Sequence, residues 1–69
     1  MRELTAAEKR GMEFVESSDG VWTSVNNAYT ITRAVPTGFI VRDGHGRHVA
    51  LADTLVKARK AARDHLRSI

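Results

Sequence analysis

The 69-residue sequence has no cysteine, one proline and only four aromatic residues. The lack of cysteine excludes a disulfide framework, a thiolate zinc site and cysteine-based catalysis. No apolar run approaches the roughly 20 residues that a membrane-spanning helix needs, and the opening residues MRELTAAEKR lack the apolar core of a signal peptide. We therefore expect a soluble cytoplasmic protein with one domain, residues 1–69.

The sequence also lacks a catalytic or metal-binding signature. Acid–base or nucleophilic catalysis needs titratable groups that converge in a pocket, and a short two-layer domain offers no evident cleft. His45 and His48 are three residues apart, but the predicted structure puts His45 at a turn, His48 on a sheet face and His65 beside a helix, so the rings do not converge. We predict a protein that is not an enzyme and has no metal or cofactor.

Charge is distributed unevenly along the chain. Residues 1–32 hold three basic and five acidic residues, a net charge of −2, whereas residues 33–69 hold eight and three, a net charge of +5. Arginine outnumbers lysine eight to three, and its planar fork suits phosphate and carboxylate groups, although a GC-rich genome gives the same bias. The second half therefore carries the basic surface.

A helix is the favoured prediction near the N-terminus, starting at the Thr5 capping box and stopping at Ser17-Ser18-Asp19-Gly20. Thr5 and Glu8 have the spacing of a capping box, and apolar residues follow at helical intervals up to Val15. Gly11 costs such a helix about 1 kcal/mol relative to alanine, which leaves residues 12–16 open to an extended conformation instead.

Four strands are predicted next, because β-branched and aromatic residues alternate between turn-forming groups. A turn at Asn26-Asn27 pairs Trp22 with Ile31. A loop at residues 36–38 with Gly38 left-handed pairs Val35 with Phe39, and a loop at residues 44–46 pairs Val41 with Val49 and Phe39 with Leu51. The predicted inner face comprises Trp22, Tyr29, Ile31, Val35, Phe39, Val41, Val49 and Leu51. The predicted outer face comprises Val21, Thr23, Val25, Thr30, Thr32, Ala34, Ile40, Arg42, His48 and Ala50.

A second helix follows, capped by Asp53 or Thr54. Its apolar stripe has the members Leu55, Ala58, Ala62, Leu66 and Ile69. The predicted fold is therefore α+β: a helix, a four-stranded antiparallel meander and a helix (αββββα), in two layers with both helices on the Trp22 face.

Two surfaces are candidates for binding. One is the flank of the last helix, where Arg59, Arg63 and Arg67 form a ladder with Lys57 and Lys60 further round and Asp64 between them. The other is the open sheet face with Arg42 and His48, bordered by Arg33 and Arg47. Each could equally be a solvated face without a ligand. The candidate nucleic-acid-binding residues are Arg33, Arg42, Arg47, His48, Lys57, Arg59, Lys60 and Arg63.

Residues 28–66 resemble known families. The strands are followed by a helix, with GRHVALADTLVKARKAA running from the last strand into that helix, and this order resembles AP2-type and integrase arm-binding domains. Those domains place a sheet on DNA. This chain has one more strand and an extra N-terminal helix. The helix–strands–helix order is also similar to double-stranded RNA-binding domains, with Asp53-Thr54-Leu55-Val56 where those have a lysine cluster. The size and the alanine- and arginine-rich style resemble small uncharacterised proteins of actinobacteria and their phages, a group that includes inhibitors of host proteins.

These observations predict a small accessory or regulatory protein that binds nucleic acid, DNA in particular, and that could be phage-encoded. The alternative is a protein-binding module, or an inhibitor of a host or phage factor, that acts through the exposed sheet face. Val21, Val25 and Ile40 on that face would also suit a homodimer.

Overall fold

The computed structural model describes residues 2–34 and 38–69. In chain order the elements are α1 (Ala6–Gly11), β1 (Phe14–Ser18), β2 (Val21–Ser24), β3 (Tyr29–Arg33), β4 (Phe39–Asp43), β5 (His48–Ala52) and α2 (Leu55–Arg67). The strands form one antiparallel sheet in the order of the sequence, β1-β2-β3-β4-β5. The predicted α+β class is confirmed, but the sheet has five strands where four were predicted. Within the described residues, no helix has the length and apolarity to cross a membrane.

The additional strand comes from the segment that was predicted to end the first helix. The capping box at Thr5 is present, with the Thr5 hydroxyl accepting from the Glu8 N–H at 3.1 Å and the Glu8 carboxylate accepting from the Thr5 N–H at 3.0 Å. The helix ends at Gly11, however, where the Asn26 N–H donates to the Gly11 carbonyl at 2.9 Å. A Cβ at position 11 would lie 2.9 Å from Nδ2 of Asn26, so glycine allows this close approach. The chain is then extended from Phe14, the alternative that the glycine had left open.

The β2–β3 hairpin has the predicted register. Trp22 pairs with Ile31, and Asn27 has a positive φ of 59° in the turn. The side-chain oxygen of Ser24, which is buried, accepts from the Tyr29 N–H at 3.0 Å and donates to Oδ1 of Asn26 at 2.7 Å. These bonds satisfy the buried hydroxyl and fix the end of the hairpin.

The β3–β4 register differs from the prediction by two residues. Phe39 pairs with Arg33 and Val41 pairs with Ile31, whereas the predicted loop set Phe39 against Val35 and Val41 against Arg33. A shift of two keeps every side chain on its face, so Ile31 and Val41 still point to the same side. Val35 and its predicted place on the inner face lie outside the described residues.

A β-bulge changes the faces of β5. The loop at residues 44–46 forms as predicted, with the Asp43 N–H donating to the Arg47 carbonyl at 3.0 Å and Gly46 at a φ of 79°. Arg42 pairs with His48, but Val41 pairs with Ala50, which leaves Val49 as an extra residue in β5. The prediction that Leu51 faces inward and Ala50 outward is therefore wrong. Leu51 pairs with Ile40 on the outer face and is 68% exposed.

The core lies between the sheet and α2. Thr54 caps this helix, with its hydroxyl accepting from the Lys57 N–H at 3.2 Å. Ala58 and Ala62 are fully buried against Ile31 and Val41, and small residues let the helix approach the sheet closely. The expected stripe also included Ile69, which instead lies beyond the helix and is exposed. Met12, directly after α1, joins the same cluster from the N-terminal side.

Candidate functional site

The face of the sheet opposite α2 is open and carries two rows of side chains. Strand pairing aligns Val15, Thr23, Thr30, Arg42 and His48 in one row across all five strands. It aligns Val21, Thr32, Ile40 and Leu51 in a second row over β2–β5. The first, which we call the polar row, ends in two nitrogen donors; the second, the apolar row, ends in an exposed leucine. A strand spacing of about 4.8 Å makes the polar row about 19 Å long.

The basic end of the polar row is continuous with the β4–β5 turn. Arg42, His45, Arg47 and His48 are all exposed. The carboxylate of Asp43 accepts from the backbone N–H groups of Arg47 at 3.0 Å and His45 at 2.9 Å, and these bonds hold the pKa of Asp43 below its ordinary value. Asp43 pairs with Tyr29 and so lies on the α2 side of the sheet. The open face thus has two arginines and two histidines at one end, beside a turn held by two hydrogen bonds to Asp43.

The candidate residues of α2 separate into two groups. Lys57 and Lys60 are exposed, and they pair with Asp53 at 3.2 Å and Asp64 at 3.5 Å, contacts that are solvent-screened and worth little. Arg59 and Arg63 make no ion pair among the described residues, and together with Lys60 they line a groove of about 1030 Å³ between α2 and the N-terminal segment. Nε of Arg59 is buried and has no hydrogen-bond partner among the described residues.

Arg67, the last member of the predicted ladder, holds the two ends of the chain together. Its Nε donates to the Arg2 carbonyl at 3.1 Å, and its guanidinium lies 3.9 Å from Asp64. Arg2 in turn makes an ion pair with Glu8 at 2.7 Å. Arg67 therefore has a structural role in addition to its place along the groove.

Arg33 is separate from both surfaces. It pairs with Phe39, so it lies on the α2 side of the sheet, and its guanidinium lies 5.8 Å from the centre of the Trp22 ring. Trp22 also contacts Phe39 edge-on, with ring centres 5.7 Å apart. The structure therefore distributes the eight candidate residues over three places: the basic end of the open face, the flank of α2 and the Trp22 surface.

The three histidines do not come together. His65 faces the core side, where its Nδ1 is 2.7 Å from the Tyr29 hydroxyl, while His48 lies on the opposite face of the sheet. Burial raises the pKa of Tyr29, and the Asp43 charge adds to that effect. No group of three potential metal ligands occurs in residues 2–34 and 38–69.

Sequence reasoning missed two features of these surfaces. The apolar row gains its exposed Leu51 only through the bulge at Val49, which no turn residue marks. The groove exists because α1 ends at Gly11, and the only signal for it was the unfavourable glycine. Comparisons with protein-family models, curated proteins and solved structures gave no match.

Proposed function

We propose that this protein is a small non-enzymatic module that binds nucleic acid through the open face of its sheet. The observation that supports this best is the basic end of the polar row, where Arg42 and His48 are direct cross-strand partners beside Arg47 and His45. Phosphate contacts supply most of the affinity of such proteins, and arginine, histidine and threonine side chains are suitable donors.

The dimensions of the face fit this proposal. A row of about 19 Å matches five to six steps of a nucleic-acid strand, since phosphates follow each other by about 3.4 Å along the helix axis. Thr23 and Thr30 extend the row from the basic end with hydroxyl groups that can donate to phosphate or sugar oxygens. The open sheet face is also the surface that the resemblance to AP2-type domains implies for DNA contact.

The test is a titration of labelled duplex and single-stranded oligonucleotides at several salt concentrations. We expect micromolar binding at low salt, and a slope of log K against log salt of about −0.9 for each duplex phosphate neutralised. Arg42→Glu should weaken binding by about tenfold or more and reduce the slope. Arg63→Glu makes the same change of charge on the other side of the sheet and should have a smaller effect.

Two results would contradict the proposal. One is the absence of micromolar binding by the wild type in low salt. The other is an equal loss of affinity in Arg42→Glu and Arg63→Glu, which would indicate general charge attraction without a contribution from the open face.

A second candidate function is binding of a protein partner, or of a second copy, through the apolar row. The specific observation is that Leu51 is 68% exposed and is the cross-strand partner of Ile40, with Val21 in the same row beyond Thr32. Val25 is also exposed, but it follows Thr23 along the chain and lies beyond the polar row. Contiguous exposed apolar side chains on one face are typical of interaction surfaces. Leu51→Gln should weaken such association in sedimentation equilibrium and leave nucleic-acid affinity unchanged.

A further inference from the structure

The α2 side of the sheet is only partly covered. A helix is about 10 Å wide and neighbouring strands are about 4.8 Å apart, so one helix covers about two strands, and five strands need two helices. The 13-residue α2 packs over β5, β4 and β3. The only other helix in residues 2–34 and 38–69 is α1, which has six residues and leaves Phe14 and Trp22 half-exposed.

The uncovered region borders the groove between α2 and the N-terminal segment at Phe14. Leu4, Met12 and Phe14 form its apolar wall on one side. On the other side lies Val56 of α2, which is 64% exposed although it occupies a helix that otherwise packs its apolar residues on the sheet. The groove follows α2 from Val56 to Arg67, a length of about 16 Å that equals three turns of helix.

Five basic and three acidic residues line the groove: Lys9, Arg59, Lys60, Arg63, Arg67, Glu3, Glu13 and Asp64. Asp64 pairs with Lys60 and with Arg67, and the two remaining arginines are Arg59 and Arg63. They lie one helical turn apart on the groove side of α2, and neither makes an ion pair in residues 2–34 and 38–69. The buried Arg59 Nε lacks an acceptor within the same residues. An occupant that presents carboxylates to these two guanidinium groups would pair with their accessible nitrogens, and charge-assisted hydrogen bonds of this kind are strong.

We propose that this groove binds an amphipathic helix of a partner protein, with its apolar stripe against Val56 and Phe14 and its acidic side chains on Arg59 and Arg63. In helix-in-groove recognition the bound helix uses apolar anchors at successive turns, and a groove three helical turns long has room for such anchors. The proposal concerns a different surface from the nucleic-acid face and does not depend on it.

Other occupants fit less well. Glu3 and Glu13 also line the groove, and a nucleic-acid strand with a charge every 3.4 Å would meet them, whereas a helix can place a neutral or basic residue there. A second copy related by two-fold symmetry that inserted its own α2 would bring Arg59 and Arg63 against the same residues. Like charges at close range make that arrangement unfavourable.

The test is selection from a display library of 14-residue peptides with a fixed leucine stripe and randomised flanks, with the intact protein as target. We expect the recovered peptides to be rich in Glu and Asp on one flank. Their affinity, measured by fluorescence anisotropy, should fall about tenfold with Arg63→Glu and with Val56→Asp, because each variant removes a matched contact. Both positions are exposed, so both variants should fold. Arg42→Glu, on the opposite face, is the control and should leave peptide affinity unchanged.

Selection against Arg63→Glu provides a reciprocal test. The charge match predicts that this variant recovers peptides with Lys or Arg in place of the acidic residues. The proposal is overturned if no peptide is recovered, if the peptides have no acidic preference, or if they bind Arg63→Glu and Val56→Asp as tightly as the wild type.

Discussion

On the α2 side of the sheet, the side chains over β3–β5 are packed more completely than those over β1 and β2. Over β3–β5, Ile31, Val41, Ala58 and Ala62 are fully buried, as in the interior of a larger domain. Over β1 and β2, Phe14 and Trp22 remain half-exposed, Phe14 lines the groove, and Ser24 is the buried residue of β2. The difference indicates that one half of the protein carries its stability, and that the other half is available for contact with a partner.

The largest effect should come from a truncation in the packed half. Ile31→Ala should lower the free energy of unfolding by about 3 kcal/mol, because it removes buried methyl and methylene groups and leaves a cavity beside Ala58. A loss of this size is a large part of the stability of a small domain. Urea denaturation followed by Trp22 fluorescence measures it. The conservative variant Ile31→Val should lose about 1 kcal/mol and provides a reference that stays folded.

A smaller effect is expected from the open half. Phe14→Ala removes a larger side chain than Ile31→Ala, yet it should cost only about 1 kcal/mol, since Phe14 is already partly hydrated in the folded protein. The same denaturation experiment compares the two. A cost for Phe14→Ala equal to that of Ile31→Ala would mean that both halves are equally packed, and it would remove the basis for a partner in the groove.

A pH-dependent contribution should come from the N-terminal segment that borders the groove. The hydrogen bond from Arg2, with a further one from the Thr5 N–H, lowers the pKa of Glu8 to about 2 from an ordinary value of 4.5. A lowered pKa in the folded state stabilises the protein above the ordinary pKa, and the stabilisation is lost as the pH falls from about 4.5 to about 2.

Comparison with Glu8→Gln isolates this contribution. Free energies of unfolding measured from pH 7 down to pH 2 should differ most at neutral pH and converge in acid. Because Glu8 is solvent-accessible, the difference should also shrink when salt is added. A constant difference at all pH values would show that Glu8 acts through packing of α1 and not through its charge.

The smallest effect is expected on the outer face. Leu51→Gln should change the free energy of unfolding by less than about 0.5 kcal/mol, because the bulge at Val49 turns Leu51 to solvent. Val49→Ala, at a residue that packs partly against the core, serves as the comparison within the same strand and should cost more. A loss of 2 kcal/mol or more in Leu51→Gln would indicate instead that Leu51 faces the core, as the simple alternation of residues in β5 predicts.

How far the sequence predicts this fold depends on whether local signals agree. Three predicted features depend on residues that are close together in the chain, and each is present: the capping box at Thr5, the hairpin turn at Asn26-Asn27 and the Thr54 cap. The register predicted for β3 and β4 was wrong by two residues. Because a shift of two keeps every side chain on its face, Ile31 and Val41 lie on the face that was predicted for them. Local chemistry was therefore enough to place Ile31 and Val41 in the core and to start α2.

The errors have long-range causes. The position of β1 depends on two contacts between residues more than ten apart in the chain. The Glu13 carbonyl accepts from the Val25 N–H, and Gly11 packs closely against Asn26. The bulge at Val49 is a shift in the pairing of β5 with β4, which the alternation of residues 48–52 does not reveal. The basic positions of the candidate site could be predicted individually. The sequence also predicts Arg42 and His48 on the open face and Arg59 and Arg63 on the flank of α2. It does not predict the groove beside Arg59 and Arg63 or the approach of Arg33 to Trp22, because these depend on residues far apart in the chain.

The contacts between Arg2 and the end of α2 also bear on how this chain could be rearranged. The Arg2 N–H donates to the Arg67 carbonyl at 3.3 Å, and the Arg2 guanidinium reaches the Leu66 carbonyl at 3.2 Å. A short glycine-rich linker could therefore join residue 69 to residue 1, and new ends could be opened at the exposed turn around His45. Such a circular permutant would keep every strand neighbour and place α1 and α2 in one continuous segment, which makes the chain a convenient scaffold for inserting a sensor or a tag.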